Sequence, residues 1–432
     1  MLSMSRWLGS LANRHKTLVS RMAPVQSRRY LSAVSDLYNP TPEHASLRAM
    51  VRDFAMKEVE PQALQYNREE RFNEPLFRRM GELGLLGVSA PMAYGGGGMD
   101  AAAVAIVHEE LSASDPAFCL SYLAHSLLFV NNLGVNGSDA QRERFLPNAC
   151  SGATLGGMAM SEPGAGTDVL AMATRAVRDG DDYVLTGTKM WITNGARNDA
   201  ELGDVFLVYA RDAPAKGGVT PVKATYSLFL VEKGMPGFSL GQRIKDKCGM
   251  RASNTAEIVL EEVRVPAKTH RVGKEGSAIL SMMRNLEIER LGLAAMSLGI
   301  ARRCIDVMNS YSKERKAFGA PLNRHGQIQS HIGDSYAQYA AGRAYVYATA
   351  RNLNLTESGG RIDSDGVKLY CGPMATTVAS RAIQTLGGYG YVGEYAVERL
   401  WRDARLIEIG GGTNESHQKN ITKDLASAGT PW

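Results

Sequence analysis

Three blocks of different periodicity follow one another along the 432 residues of the chain, and this order constrains the fold more than any other feature. From Asp36 to about Cys150, apolar residues recur at the 3.6-residue spacing of amphipathic helices, in "EHASLRAMVRDFAMKEVEPQAL" and again in "NEPLFRRMGELGLLG". Pro61 and the "YGGGG" run at 94–98 interrupt them. From about 155 to 270 the texture changes to short runs such as "DDYVLTGTKMWITNG", "DVFLVYA", "YSLFLVEKG" and "AEIVLEEVRVP", rich in β-branched and aromatic residues and bounded by Gly, Asn, Asp and Pro. These predict strands joined by turns, in an antiparallel sheet or barrel. Helical periodicity returns over 276–314, 325–356, 365–386 and 414–426. Helices, then strands, then helices predict a segregated α+β protein rather than an alternating α/β one. The expected units are an N-terminal helical domain over 36–155, a middle β domain over 156–272 and a C-terminal helical domain over 273–432.

The length suits two or three domains at roughly 150 residues each. The net charge of +5, from 49 Lys and Arg against 44 Asp and Glu, suggests a polyanion-binding surface at first sight. Its distribution argues otherwise. No acidic residue precedes Asp36, whereas Arg6, Arg14, Lys16, Arg21, Arg28 and Arg29 do, so the remaining body holds 43 basic against 44 acidic residues. A near-neutral body predicts no nucleic-acid partner. Residues 1–33, Arg-rich, acid-free and interspersed with Leu2, Trp7, Leu11 and Leu18, have the composition of a mitochondrial transit peptide, with "RRYLSA" at 28–33 as its processing region. A secretory signal fits worse, since no uninterrupted apolar core of roughly 7–15 residues follows the basic ones. A plain basic tail is the alternative. No apolar stretch approaches the roughly 18 residues of a membrane span. The five scattered cysteines and eight scattered histidines form neither CxxC nor HExxH, so no metal site is expected, and the thiols read as small core residues of a reducing compartment.

Several motifs carry chemistry. "GYGYVG" at 388–393 matches GxGxxG, but a helix rather than a strand precedes it, so the dinucleotide-binding interpretation fails. "AMSEPGAGTD" at 159–168 offers the amides of Gly164 and Gly166 and the Thr167 hydroxyl to an anion or cofactor oxygen, or is a surface turn. "WITNG" at 191–195 presents an indole and a hydroxyl to a flat cofactor, or is an Asn-Gly hairpin with a core Trp. In "RNLEIERLGLAAMSLGIARR" at 284–303, Glu287 has Arg284 at i−3 and Arg290 at i+3 and is expected on a solvated ion-pair face. Glu289 instead shares a stripe with Met282, Leu286, Leu293 and Met296, with Gly292 leaving room beside it. Desolvation there would make it a stronger base; a Glu at the stripe's edge reaching water is the alternative. Finally "RKAFG" at 315–319, Gln327, "QTLGGYG" at 384–390 and "GGGTNE" at 410–415 suit a diphosphate and its attached groups, or are ordinary helix ends.

Together these motifs, with "VEKGMPGFS" (231–239), "GMRASNT" (249–255) and "LGGYGY", resemble the acyl-CoA dehydrogenase family in their order along the chain from about Asp36 to the end, and most closely its isovaleryl-CoA branch. The resemblance implies an N-terminal helical domain, a middle β-barrel and a C-terminal four-helix bundle, in a homotetrameric FAD enzyme of the mitochondrial matrix that passes electrons to an electron-transferring flavoprotein. It implies that Met158, Met160, Ser161, Gly166, Thr167, Trp191, Ile192 and Thr193 line the flavin and its chain. Arg315, Phe318, Gln327, Gln384, Gly387, Gly388, Thr413, Asn414 and Glu415 would also bind FAD, partly across a subunit interface. Thr167, Glu287, Ile288, Arg290, Gly411 and Gly412 would meet the acyl-CoA. Glu289 would be the catalytic base; straight-chain members carry theirs on the loop where this chain has Gly411. Thr167 stands where many relatives have Ser, and the segment from Gly276 to Glu289 is about two residues longer than in the relatives. The alternatives within reach are a long-chain, short branched-chain or glutaryl-type dehydrogenase, a non-catalytic matrix assembly relative, and an acyl-CoA oxidase.

Overall fold

The computed structural model describes residues 35–214 and 224–428. The basic leader at 1–33 lies outside them. The N-terminal helices are α1 (Pro42–Phe54), α2 (Glu60–Arg68), α3 (Glu74–Glu82), α4 (Ala101–Ser112), α5 (Pro116–Leu123), α6 (Asn132–Asn136) and α7 (Asp139–Cys150). Their starts are written in the sequence. Thr41 accepts from the His44 amide, and Asp100 and Asp115 each accept from two first-turn amides of α4 and α5. Ser138 and Gln141 form a reciprocal capping box on α7. The stretch Pro116–Asn136 is long and apolar enough to cross a bilayer, contrary to the sequence expectation, but 94% of its most apolar window is buried inside the molecule. It is a core helix of the first domain.

The middle region holds β1 (Gly156–Ala159), β2 (Arg175–Asp179), β3 (Asp182–Thr193), β4 (Val205–Ala213), β5 (Tyr226–Glu232), β6 (Phe238–Arg243), β7 (Thr255–Pro266) and β8 (Arg271–Val272). They form one eight-stranded sheet in the order β6-β7-β3-β2-β4-β5-β8, with β1 added on β4. The expected antiparallel pairing holds except at β4, which pairs parallel with both β1 and β2. "WITNG" does not close a hairpin, because β3 pairs with β2 and β7 and not with the strand that follows it. Of the five cysteines, four are buried and Cys248 is exposed, a correction to the expectation that all are core residues.

The C-terminal region contains α8 (Ala278–Glu314), α9 (Gly326–Asn352), α10 (Arg361–Leu386), α11 (Val397–Ile407) and α12 (Asn414–Ala428). α8 is the axis of the molecule, packed against α4, α9, α10 and α11. Residues 291–301 are buried on every face, as in a helix with no solvent side. Below them α4 contributes two fully buried carboxylates. Glu109 meets Arg48, Arg343 and the Tyr347 hydroxyl at 2.8, 2.9 and 2.6 Å, and Glu110 meets Arg48 and Arg302 at 2.7 Å each. The cluster ties α1, α4, α8 and α9 together, and it closes because every buried charge has an opposite partner.

α8 and α4 touch backbone to backbone at Gly299, where a β-carbon would fall 2.3 Å from the Glu109 carbonyl oxygen. Neither atom can swing aside, so Gly299→Ala should push the helices apart. We expect a loss of about 1–3 kcal/mol in denaturant unfolding, against a small gain at a helical glycine without such a contact.

Candidate active site

Glu289 lies where α8 passes the loop after α11. Met282, Leu293 and Met296 of its stripe are buried and Leu286 is half-buried, so the carboxyl sits among apolar neighbours. Burial pushes its pKa up to about 7, while Arg290 and then Lys368 pull the other way. No described residue forms a hydrogen bond or ion pair with it. The loop backbone approaches closely: a β-carbon built at Gly411 would stand 3.6 Å from Glu289 Oε1 and 2.4 Å from Leu293 Cδ1. Gly411 and Gly412 also have φ of +66° and +100°, the left-handed region that glycine adopts without strain. An acidic side chain at position 411 would therefore be strained on this backbone and would have to displace the Leu293 methyl.

The expectations around Glu289 need three corrections. Glu287 is not solvated and pairs with neither Arg284 nor Arg290. It is buried and accepts from the Ser358 hydroxyl and the Gly359 and Gly360 amides at 2.6, 3.1 and 2.9 Å, which anchors the segment before α10. Arg284 donates instead to Asn131 and the Leu355 carbonyl, and Arg290 ion-pairs with Asp365 at 3.0 Å. Gly292 makes no room for Glu289. It lets α8 approach Leu123 and Leu127, whose Cδ1 atoms would lie 3.1 Å from a β-carbon there. Ile288, expected at the substrate, packs in the core with 1% exposure.

Three residues absent from the sequence expectations complete this site. Lys368, fully buried on α10, donates to the Gly412 carbonyl. His417, at the start of α12, reaches the same carbonyl at 2.9 Å through Nε2, and its Nδ1 lies 2.6 Å from Asp365. Asp365 and Lys368 stand three apart on one helix, a spacing that also describes an exposed ion pair, so sequence alone does not mark them as internal.

The remaining expected residues fall into two groups. On the β side, Met158 leaves β1 toward α8, where Asn285 contacts its sulfur at 3.4 Å. Met160 is buried, and its carbonyl accepts from Lys189 at 3.0 Å. Ser161 is half-buried, and Gly166 and Thr167 are exposed in an open loop. That loop is pinned by Glu162, which turns inward to Lys189 at 2.9 Å and to the Ala173 and Thr174 amides at 2.6 and 2.9 Å. Trp191 is not a core residue. It is 60% exposed at φ +67°, on a bulge between Lys189 and Ile192, while Ile192 turns inward and Thr193 is half-buried. At the far end of α8, Arg315, Gln384, Gly387 and Gly388 share a cleft of about 570 Å³ with Tyr311 and Tyr389. Phe318, 98% exposed, and Gln327, exposed at the start of α9, flank it in sequence. No residue of 158–167 or 191–193 lines that cleft. Thr413 accepts from the Ser416 amide, Asn414 donates to Glu408, and Glu415 is exposed. A larger cleft of about 630 Å³, bordered by Tyr94, Asn131, Arg142 and Leu355, contains none of the expected residues.

Comparison with known proteins covers all three regions. Profiles for the acyl-CoA dehydrogenase N-terminal, middle and C-terminal domains match residues 41–153, 157–263 and 279–426. The chain is 38% identical over 429 residues to mitochondrial isovaleryl-CoA dehydrogenase of Oryza sativa, spanning 98% of this chain and 99% of that one. The solved butyryl-CoA dehydrogenase of Megasphaera elsdenii superposes with a TM-score of 0.83 at 31% identity, over 89% of this chain and 98% of that one. A glutaryl-CoA dehydrogenase of Mycobacterium smegmatis, solved in complex with FADH2, gives 0.82 at 28% identity over 91% and 96% of the two chains. The helix–sheet–helix order and these matches together place the chain in the acyl-CoA dehydrogenase family, as an FAD-dependent oxidoreductase.

Proposed function

We propose that the protein oxidises isovaleryl-CoA to 3-methylcrotonyl-CoA in the mitochondrial matrix, a step of leucine catabolism, and passes the electrons to an electron-transferring flavoprotein. The observation that carries this is the position of the base: a partnerless carboxylate on α8 facing a loop whose glycine at 411 can hold none. Substrate preference rests on the branch of the family that shares this placement, together with the near-full-length likeness to the rice enzyme.

The residues present fit FAD. Gly387 and Gly388 have nothing within 4 Å of a built β-carbon, so their backbone is open to a close-lying ligand beside the Arg315 guanidinium. Trp191 and Phe318 turn large aromatic faces outward, and the 164–167 loop offers amides and a hydroxyl. Residues 158–167 and 191–193 would hold the flavin end. Arg315, Phe318, Gln327, Gln384, Gly387 and Gly388 would hold FAD from a second subunit of a homotetramer, and Thr413–Glu415 would close the site. When bound, FAD accepts the hydride leaving the substrate β-carbon.

The chain itself handles the proton and the developing charge. Glu289 takes the pro-R α-proton of the acyl-CoA, and its apolar surroundings match its basicity to that task. Negative charge grows on the thioester oxygen as the proton leaves. The Gly411 amide, free of a backbone acceptor among the described residues, would donate to that oxygen, a role supported by the closeness of this loop to Glu289.

Four outcomes test this. Glu289→Gln should keep its flavin absorbance but lose roughly a hundred- to ten-thousand-fold in kcat; near-normal turnover in this variant, with Glu287→Gln dead, would overturn the assignment. Only the ionised carboxylate accepts a proton, so kcat/KM should rise with pH through about 7 and level off above it. The same raised pKa favours the protonated folded state, whose stability is lost as pH rises through about 7, so Glu289→Gln should melt above the wild type at pH 8. Across a panel of acyl-CoAs with a dye acceptor, isovaleryl-CoA should give the highest kcat/KM. A preference for long-chain, 2-methyl-branched or glutaryl substrates would reassign the substrate, and hydrogen peroxide release would mark an oxidase.

A further inference from the structure

The cluster behind the 410–413 loop contains more charge than holding a turn requires. Lys368, Asp365, Arg290 and His417 come from three helices; Lys368 and His417 meet at the Gly412 carbonyl, Asp365 joins His417 to Arg290, and Arg290 Nε reaches the Gly411 carbonyl at 3.5 Å. A carbonyl only accepts, so His417 Nε2 carries a hydrogen. On its other side the 2.6 Å contact with Asp365 holds a second proton between Nδ1 and the carboxylate. Arg290 secures Asp365 at 3.0 Å, on the same oxygen. Two donors thus grip a single peptide oxygen one residue after Gly411, where a built β-carbon would stand 3.6 Å from Glu289 Oε1.

We propose that Lys368 is a positioning residue for proton abstraction: its ammonium, with the Asp365–His417 pair, clamps the Gly412 carbonyl and so holds the Gly411 backbone against the Glu289 carboxylate, while its charge faces that carboxylate. This rests on Glu289 being the base. Glycines at 411 and 412 have broad backbone freedom, and the clamp removes it at the one place where an amide must meet the thioester oxygen. Glu289 is faced by Arg290 on its own helix, by Lys368 on α10 and, more remotely, by Tyr209 on β4. Asp365 and His417 stand behind Lys368 rather than against Glu289. Lys368 is therefore the cation of another helix whose removal changes the field at the base while leaving α8 intact. Burial draws its own pKa down to about 8, with Glu289 the main opposing influence, so the two groups feel each other directly.

The test uses the purified holoenzyme, with its flavin content and melting temperature measured beside activity. In Lys368→Met and Lys368→Gln we expect kcat at pH 7 to fall at least about tenfold with KM nearly unchanged. The acidic limb of kcat/KM should move up by roughly one pH unit, because a cation that stabilised the carboxylate is gone. Lys368→Arg should restore the limb. His417→Gln should lower kcat while leaving the limb in place, separating clamp from charge. Exchange of substrate α-hydrogens with D2O, followed by NMR without an electron acceptor, should slow in parallel with kcat in each variant. A Lys368→Met limb superimposed on that of the wild type would overturn the proposal, whatever its kcat. So would failure of both neutral variants to fold beside a folded Lys368→Arg, which would assign the lysine to stability alone. If the wild type oxidises no acyl-CoA, or Glu289→Gln is active, the underlying function fails instead, and these limbs are not what decides it.

Discussion

Burial of the middle of α8 on every side, with the turns before and after it packed against other helices, is the constraint from which the rest of the molecule follows. Charge on the buried faces of such a helix needs partners supplied by its neighbours. They do so at Arg302 and at each buried charge of α8. Arg302 meets Glu110, Arg290 meets Asp365, Glu287 takes a hydroxyl and two amides, and Arg284 takes an amide oxygen and a carbonyl. Glu289, half-buried, has no hydrogen-bond or ion-pair partner among the described residues, and a carboxyl desolvated without one points to a role outside folding.

The block order of the sequence was enough for the helix–sheet–helix architecture, because a period of 3.6 and a period of 2 bury different residues and cannot be exchanged. The stripe through Met282, Leu293 and Met296 likewise led to Glu289 from sequence alone. Tertiary partners were not legible. Glu287 has two arginines at helical spacing and uses neither, since both are claimed by groups distant in sequence, Asn131, Leu355 and Asp365. The sequence left Trp191 open between an indole presented to a cofactor and a core side chain; a bulge that no pattern in the sequence marks turns it outward. Lys368 and His417 were missed for a related reason. A lysine inside a helix looks solvated until a second helix and a loop are known to cover it.

Two buried glutamates, one on each of two touching helices, show what decides whether an acid is structural or reactive. Burial pushes both upward. At Glu109 the Arg343, Arg48 and Arg302 guanidiniums overcome it, two of them in direct contact, and hold the group at about 2. At Glu289 the cations Arg290 and Lys368 stand off, each engaged with another acceptor, and the group stays at about 7. The difference lies in where the cations spend their hydrogen bonds. By tying Lys368 to the Gly412 carbonyl and Arg290 to Asp365, the fold keeps positive charge near the proposed base without neutralising it through contact. A direct Lys368–Glu289 bond would give a weak base like Glu109, and no cation at all would leave the acid protonated at neutral pH. The Gly412 carbonyl is thus the point at which loop geometry and base strength are set together.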